Sequence, residues 1–151
     1  MSVNHRIIHA SAEQIFEVLA DAWSYPSWVV GASRARAVSP DWPAVGAELH
    51  HSFGIWPLVI NDTTSIEEWD PPRRLVLRAR GGMLGSAHVS LEVQTHRREC
   101  VIRMTEHAAS GPSTLIPSFI VNIVGHTRNR EALRRLAYQV EKPHRAPDTS
   151  E

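Results

Sequence analysis

Residues 86–107 read Ser86-Ala87-His88-Val89-Ser90-Leu91-Glu92-Val93-Gln94-Thr95, then His96-Arg97-Arg98-Glu99, then Cys100-Val101-Ile102-Arg103-Met104-Thr105-Glu106-His107. Apolar side chains fall at every second position of the first run (Ala87, Val89, Leu91, Val93), and Cys100, Ile102 and Met104 repeat the period in the last. A period of two sends alternate side chains to opposite faces of a strand. The polar segment between the runs has room for a hairpin but not for the long crossover that parallel neighbours need. The stretch predicts two antiparallel strands that bury one face.

Working upstream, the same period continues through strands at 74–80, 58–69, 46–53 and 34–38. Turn residues separate them: Gly81-Gly82, Asp70-Pro71-Pro72, Trp56-Pro57 and Pro40-Asp41-Trp42-Pro43. Residues 2–9 alternate enough to be a first strand. Ser11-Ala12-Glu13-Gln14 then supplies a capping box for a helix that buries Ile15, Phe16, Val18 and Leu19. A short second helical turn around Trp23, Tyr25-Pro26 and Trp28 follows, interrupted by its proline. Downstream of Gly111-Pro112, residues 115–140 predict one long helix, and the polar segment 143–151 a flexible tail. The predicted fold is therefore α+β of the helix-grip kind, in a single domain over 1–142. A seven-stranded curved antiparallel sheet wraps a long C-terminal helix, with two short helices after the first strand. Such a grip leaves a cavity between sheet and helix where a ligand would sit.

Composition narrows the function. Among the 151 residues, Lys plus Arg and Asp plus Glu balance at 16 each, so the positive footprint of a nucleic-acid binder is missing. The longest apolar run, Phe119 to Gly125, is broken by Asn122 and predicts no stable membrane insertion. The start, Met1-Ser2-Val3-Asn4-His5, lacks a signal-peptide pattern, and a cytoplasmic location is expected. Cys100 is the single cysteine, which excludes an internal disulfide and a multi-cysteine metal site. No histidine stands with two further ligands at zinc-site spacing, so no metal is expected. Gly81-Gly82-Met83-Leu84-Gly85-Ser86 lacks the ending of a phosphate loop, and no cofactor motif appears elsewhere.

Several segments are similar to a known group. Ser11-Ala12-Glu13-Gln14-Ile15-Phe16-Glu17-Val18-Leu19-Ala20-Asp21 followed by Tyr25-Pro26-Ser27-Trp28-Val29 resembles the opening of START-like (SRPBCC) proteins, in particular the polyketide cyclase/dehydrase and lipid-transport group. The likeness continues through Trp42-Pro43-Ala44-Val45-Gly46, Gly54-Ile55-Trp56-Pro57-Leu58 and Glu67-Glu68-Trp69-Asp70-Pro71-Pro72-Arg73-Arg74-Leu75. It closes with Arg128-Asn129-Arg130-Glu131-Ala132-Leu133-Arg134-Arg135-Leu136. The resemblance implies the helix-grip fold and a hydrophobic cavity, with Trp28 at its entrance and Trp56 at its floor. The superfamily mixes carriers with aromatase/cyclases, so the likeness does not choose an activity.

Strand parity selects the side chains that would face the cavity. Ile60 and Ile66 carry Asp62 and Thr64 inward, while Leu49 and Phe53 carry His51. Glu106 shares the parity of Met104, and Leu77 and Leu91 lie inward on neighbouring strands. Burying such polar groups unpaired costs about 1–3 kcal/mol each, so they are expected to meet one another or a ligand. On the long helix, Leu115, Phe119, Ile123, Leu133 and Ala137 predict one inward stripe, with His126 and Arg130 inside it. Glu106, Asp62, His126 and Arg130 are thus the acid–base candidates, expected as a cluster on an apolar wall. Ordinary salt bridges, or an Arg130 lying along the rim, are the simpler alternative. Expected ligand contacts are Trp28, His51, Phe53, Trp56, Ile60 and Thr64 from the first half of the chain. Leu77, Leu91, Met104, Phe119, Ile123 and His126 complete them.

Three readings follow. The first is binding of a small hydrophobic molecule, lipid-like or aromatic, without a cofactor. The second is a cyclase, aromatase or dehydratase using the acid–base group in the same cavity, and the third a structural partner protein with a vestigial cavity. Val121 and Val124, apolar yet off the inward stripe, predict self-association as a homodimer.

Overall fold

The computed structural model describes residues 1–55, 57–80, 85–115 and 117–142. Trp56, residues 81–84, Ile116 and residues 143–151 lie outside the described residues, as does the Val121 side chain. Strand β1 (Ser2–Ile8) leads into helix α1 (Ala12–Ala20). The capping box forms: the Gln14 N–H donates to Ser11 Oγ at 3.2 Å, and the Ser11 N–H donates to Gln14 Oε1 at 2.9 Å. Ala12, Ile15, Phe16 and Leu19 turn to the core. A 3-10 turn at Ala22–Ser24 is capped by Asp21, whose Oδ1 accepts from the Trp23 N–H at 3.1 Å. The one-turn helix α2 (Tyr25–Trp28) follows, with Pro26 in its first turn, where no backbone N–H is needed.

Six strands come next: β2 (Ala32–Val38), β3 (Glu48–Ile55), β4 (Leu58–Asp70), β5 (Arg74–Arg80), β6 (Ser86–His96) and β7 (Glu99–Ser110). All neighbours pair antiparallel, in the order β1-β7-β6-β5-β4-β3-β2. β1 and β2 therefore form opposite edges, and α1 and α2 carry the chain from one to the other. In the β6–β7 hairpin, Arg97 takes the left-handed conformation (φ 59°) that turns the chain. The inner face follows the alternation: Leu49, Ile66, Leu75, Leu77, Leu91, Val93, Cys100, Ile102 and Met104 are all buried.

After a 3-10 turn at Pro112–Leu115, helix α3 (Ser118–Glu141) lies against β1 and also packs on α1, α2 and β7. Its buried residues are Asn129, Ala132, Leu133, Leu136, Ala137 and Val140, spaced at one helical face. At Gly125, an added Cβ would stand 3.3 Å from Ser2 Oγ, so a bare backbone there lets the helix approach β1. Asn4 Nδ2 donates to the His126 carbonyl at 3.0 Å and ties the two elements together.

This face corrects the stripe expected for the helix. Leu133 and Ala137 are buried, but Leu115, Phe119 and Ile123 are exposed at 87%, 64% and 64%. His126 and Arg130 also face outward. The first half of α3 is apolar on several sides, so hydrophobicity there does not mark the packed face. The C-terminal turns do: stepping back one heptad from Leu136 and Ala132 lands on Asn129 and Gly125. Replacing Leu133 with Ala is expected to cost about 2–5 kcal/mol in urea unfolding. Arg130→Met should change stability by less than about 0.5 kcal/mol, as befits an outward side chain.

Candidate functional site

A cavity of about 570 Å³ lies between the sheet's inner face, α2 and the first half of α3. That is within the usual size of small-molecule pockets. Among the described residues, Trp28, Phe53, Ile60, Leu77, Val89 and Met104 give it a mainly apolar wall. Phe53 fits because Gly31 has no side chain: a Cβ there would stand 2.5 Å from the ring, and φ at Gly31 is 95°. Ile120 and Val124 of α3, both substantially exposed, border the cavity from the helix side.

Two polar groups interrupt the apolar wall. In the first, the hydroxyl of fully buried Thr64 is shared: Tyr25 Oη lies 3.3 Å from Thr64 Oγ1, and His51 Nε2 lies 2.9 Å from it. The Tyr25 and His51 rings pack at 5.0 Å. Heavy-atom geometry fits hydrogen bonds running in either direction along this chain, depending on the histidine tautomer. Burial pushes the Tyr25 phenol up to about 12, against the opposing Thr64 hydrogen bond. Burial, with the Arg36 guanidinium adding to it, lowers His51 to about 4. Both are neutral at neutral pH. Asp62 stands beside them, its Oδ1 accepting from the Thr63 N–H at 2.7 Å, and burial raises its pKa.

In the second group, Arg128 of α3 pairs with Glu106 of β7. Asn129 Nδ2 donates to Glu106 Oε2 at 2.7 Å and to Ser2 Oγ at 2.9 Å. This pairing knits α3 to both β1 and β7. A half-buried carboxylate is tolerable when its charge is paired and its oxygens accept hydrogen bonds, and removing one partner would strand the other.

The expected residues distribute unevenly. Trp28, His51, Phe53, Ile60, Leu77, Met104, Asp62 and Glu106 border the cavity. Thr64 does not border it but holds Tyr25 and His51, and Leu91 is fully buried in the core. Trp56 lies outside the described residues. Phe119, Ile123, His126 and Arg130 point outward, so the cluster expected from them is replaced by one built on Arg128 and Asn129. Parity overlooked Tyr25, Ser2, Arg128 and Asn129. Tyr25 sits on a one-turn helix with no period to read, whereas the heptad run back from Leu136 would have found Asn129.

The sequence matches the family described as polyketide cyclase/dehydrase and lipid transport over residues 2–141, and the chain belongs to it. Several solved structures share its fold. A protein from Chromobacterium violaceum is 16% identical with a TM-score of 0.67, over 92% of this chain and 96% of that one. The di-domain ARO/CYC StfQ of the steffimycin biosynthetic pathway is 11% identical with a TM-score of 0.71, over 92% of this chain and 49% of that one. DynU16, from the dynemicin biosynthetic locus, is 15% identical with a TM-score of 0.64, over 93% and 47%. This chain thus spans about half the length of the last two. At these identities the likeness is one of fold. Among curated proteins, none matches the sequence. No helix among the described residues is long and apolar enough to cross a membrane.

The His51 environment makes stability depend on pH. In the unfolded chain this ring protonates near 6.5, but in the fold only near about 4. The unfolded state therefore holds more protons between those values. The full contribution is present above about pH 6.5 and falls as the pH drops, by about 2 kcal/mol at about pH 4.5. The raised pKa of Asp62 acts in the opposite sense, since the folded state takes up that proton sooner on acidification. Urea unfolding at both pH values is expected to show a smaller acid loss in His51→Gln than in the parent.

Proposed function

We propose that this protein, as a single domain over residues 1–142, binds a small hydrophobic molecule, lipid-like or aromatic, between its sheet and α3. The observation that carries the proposal is the cavity: about 570 Å³, mainly apolar, and flanked by aromatic side chains of Tyr25, Trp28 and Phe53. A carrier needs only such a space and an opening, and a few convergent polar groups to orient the cargo. The second reading, a cyclase or dehydratase acting on a polyketide-like substrate, is favoured by the Tyr25–Thr64–His51 hydrogen-bond chain. The fold likeness to the ARO/CYC protein StfQ points the same way.

Native mass spectrometry of freshly purified protein is the direct test, because it reports whatever molecule copurifies. Met104→Trp fills part of the cavity from β7. It is expected to abolish uptake of the apolar dye N-phenyl-1-naphthylamine while circular dichroism still shows the native fold. Undiminished dye uptake by that variant would place the binding elsewhere.

The homodimer belongs to the same proposal. Phe119, Ile120, Ile123 and Val124 leave an apolar patch on α3 beside the cavity, suited to a second copy of the chain. Sedimentation velocity is expected to show a dimer at high concentration, and a strict monomer overturns it.

A further inference from the structure

The charged groups that border the cavity are not equivalent. Glu106 is paired with Arg128 and accepts from Asn129. Asp62, whose side chain is only 7% exposed, has far less. Its Oδ1 takes the Thr63 N–H at 2.7 Å. Its Oδ2 is 3.8 Å from His51 Nε2, beyond hydrogen-bond reach, and that nitrogen is already engaged with Thr64 at 2.9 Å. With the ring neutral, the contact is not an ion pair either. Arg36 reaches the His51 carbonyl at 3.4 Å and makes no ion pair with Asp62. Among the described residues no lysine or arginine comes within ion-pair distance of this carboxylate. Asp62 therefore presents an unmatched acceptor oxygen to a mainly apolar cavity.

We infer that the molecule held here carries a hydroxyl, phenolic or alcoholic, that donates a hydrogen bond to Asp62 Oδ2, and that a free carboxylate end is rejected. The inference rests on the cavity binding proposed above. A buried acceptor without a donor is costly, and a charge-assisted hydrogen bond from the ligand removes that cost. A ligand carboxylate meets the opposite situation. Among the described residues it would face Asp62 with no free cation beside it. Arg128 is committed to Glu106, and the Met1 ammonium, which also borders the cavity and donates to Asn122, lies next to β1, across β7, β6 and β5 from Asp62 on β4. An ammonium would satisfy Asp62, but it would bring three donors and a full charge into an apolar space that offers one unmatched acceptor. A hydroxyl brings one donor, together with lone pairs for the neighbouring Tyr25 phenol.

Three probes of one shape separate these alternatives: 2-naphthol, which donates, its methyl ether 2-methoxynaphthalene, which does not, and 2-naphthoate. Equilibrium dialysis at about pH 8 is expected to give 2-naphthol an affinity at least about tenfold above both others. In Asp62→Asn, which keeps the shape and removes the charge, the gap between naphthol and naphthoate should shrink by about tenfold. Equal affinity of the ether and the naphthol, or of naphthoate and naphthol, overturns the inference and leaves cavity binding standing. So does an unchanged naphthol-to-naphthoate ratio in a folded Asp62→Asn. Failure of all three probes to bind overturns the cavity reading and this inference with it. The series on the unaltered protein decides the matter even if Asp62→Asn does not fold.

Discussion

The contact between the last turns of α3 and the inner face of the sheet sets everything else in this molecule. A sheet that alternates apolar and polar side chains must cover its apolar face, and here α3 supplies that cover together with α1 and α2. Leu133, Leu136, Ala137 and Val140 join Ile8, Leu75, Leu91, Cys100 and Ile102 in one buried cluster. Leu133 and Leu136 are almost wholly buried, and each such leucine contributes about 1.5–3 kcal/mol. A helix is stiff, so its anchored end also sets the line of its free end. Gly125 lets that line run close along β1 at Ser2. Ile120 and Val124, five residues and one residue before Gly125, border open space instead. The cavity is the volume left where the rod is no longer pressed onto the sheet.

Polar residues on an inward face raise the question of which are held by the fold and which are left to a ligand. Hydrogen-bond bookkeeping separates them. Glu106, Arg128, Asn129 and Ser2 satisfy one another across three elements, so that group is explained by the attachment of α3 alone. Thr64 links Tyr25 and His51 in a local chain, although the buried Nδ1 of His51 is left without a partner. Asp62 has one main-chain donor and an unmatched oxygen. A buried group that the fold does not explain is where an outside partner is most economically placed.

Much of the fold was legible because strand parity is a robust signal. The hairpin at 96–99 fixes antiparallel pairing, and the inward residues from Leu49 to Met104 follow the period of two. That same parity brought His51, Asp62, Thr64 and Glu106 to the inner side of the sheet before any packing was known. The helix was harder. Its first half carries apolar residues around much of its circumference, so Phe119 and Ile123 suggested a face that is in fact exposed, and His126 and Arg130 were drawn along with it. A buried asparagine is invisible to a hydrophobic period, yet Asn129 marks the true face. Its burial depends on Glu106 and Ser2, far away in the sequence, and a local pattern does not encode such partners. Tyr25 escaped for a similar reason: its role comes from a hydrogen bond to Thr64 on a distant strand.

Family membership leaves a choice between carrying and catalysing, and the protonation states weigh on it. A general base works best when its pKa lies near the operating pH, and so does a general acid. His51, held near about 4, is a weak base at neutral pH, and Tyr25, pushed up to about 12, is a reluctant acid. Each is displaced from neutrality by several pKa units, and each unit is worth about 1.4 kcal/mol. An apolar occupant would expel water and move both further in the same directions, since burial is the leading cause of each shift. At neutral pH the Tyr25–Thr64–His51 chain thus holds its side chains neutral and oriented. Neutral hydrogen-bonding groups beside an apolar wall can orient a bound molecule without taking up its protons, which is all the proposed binding asks of them.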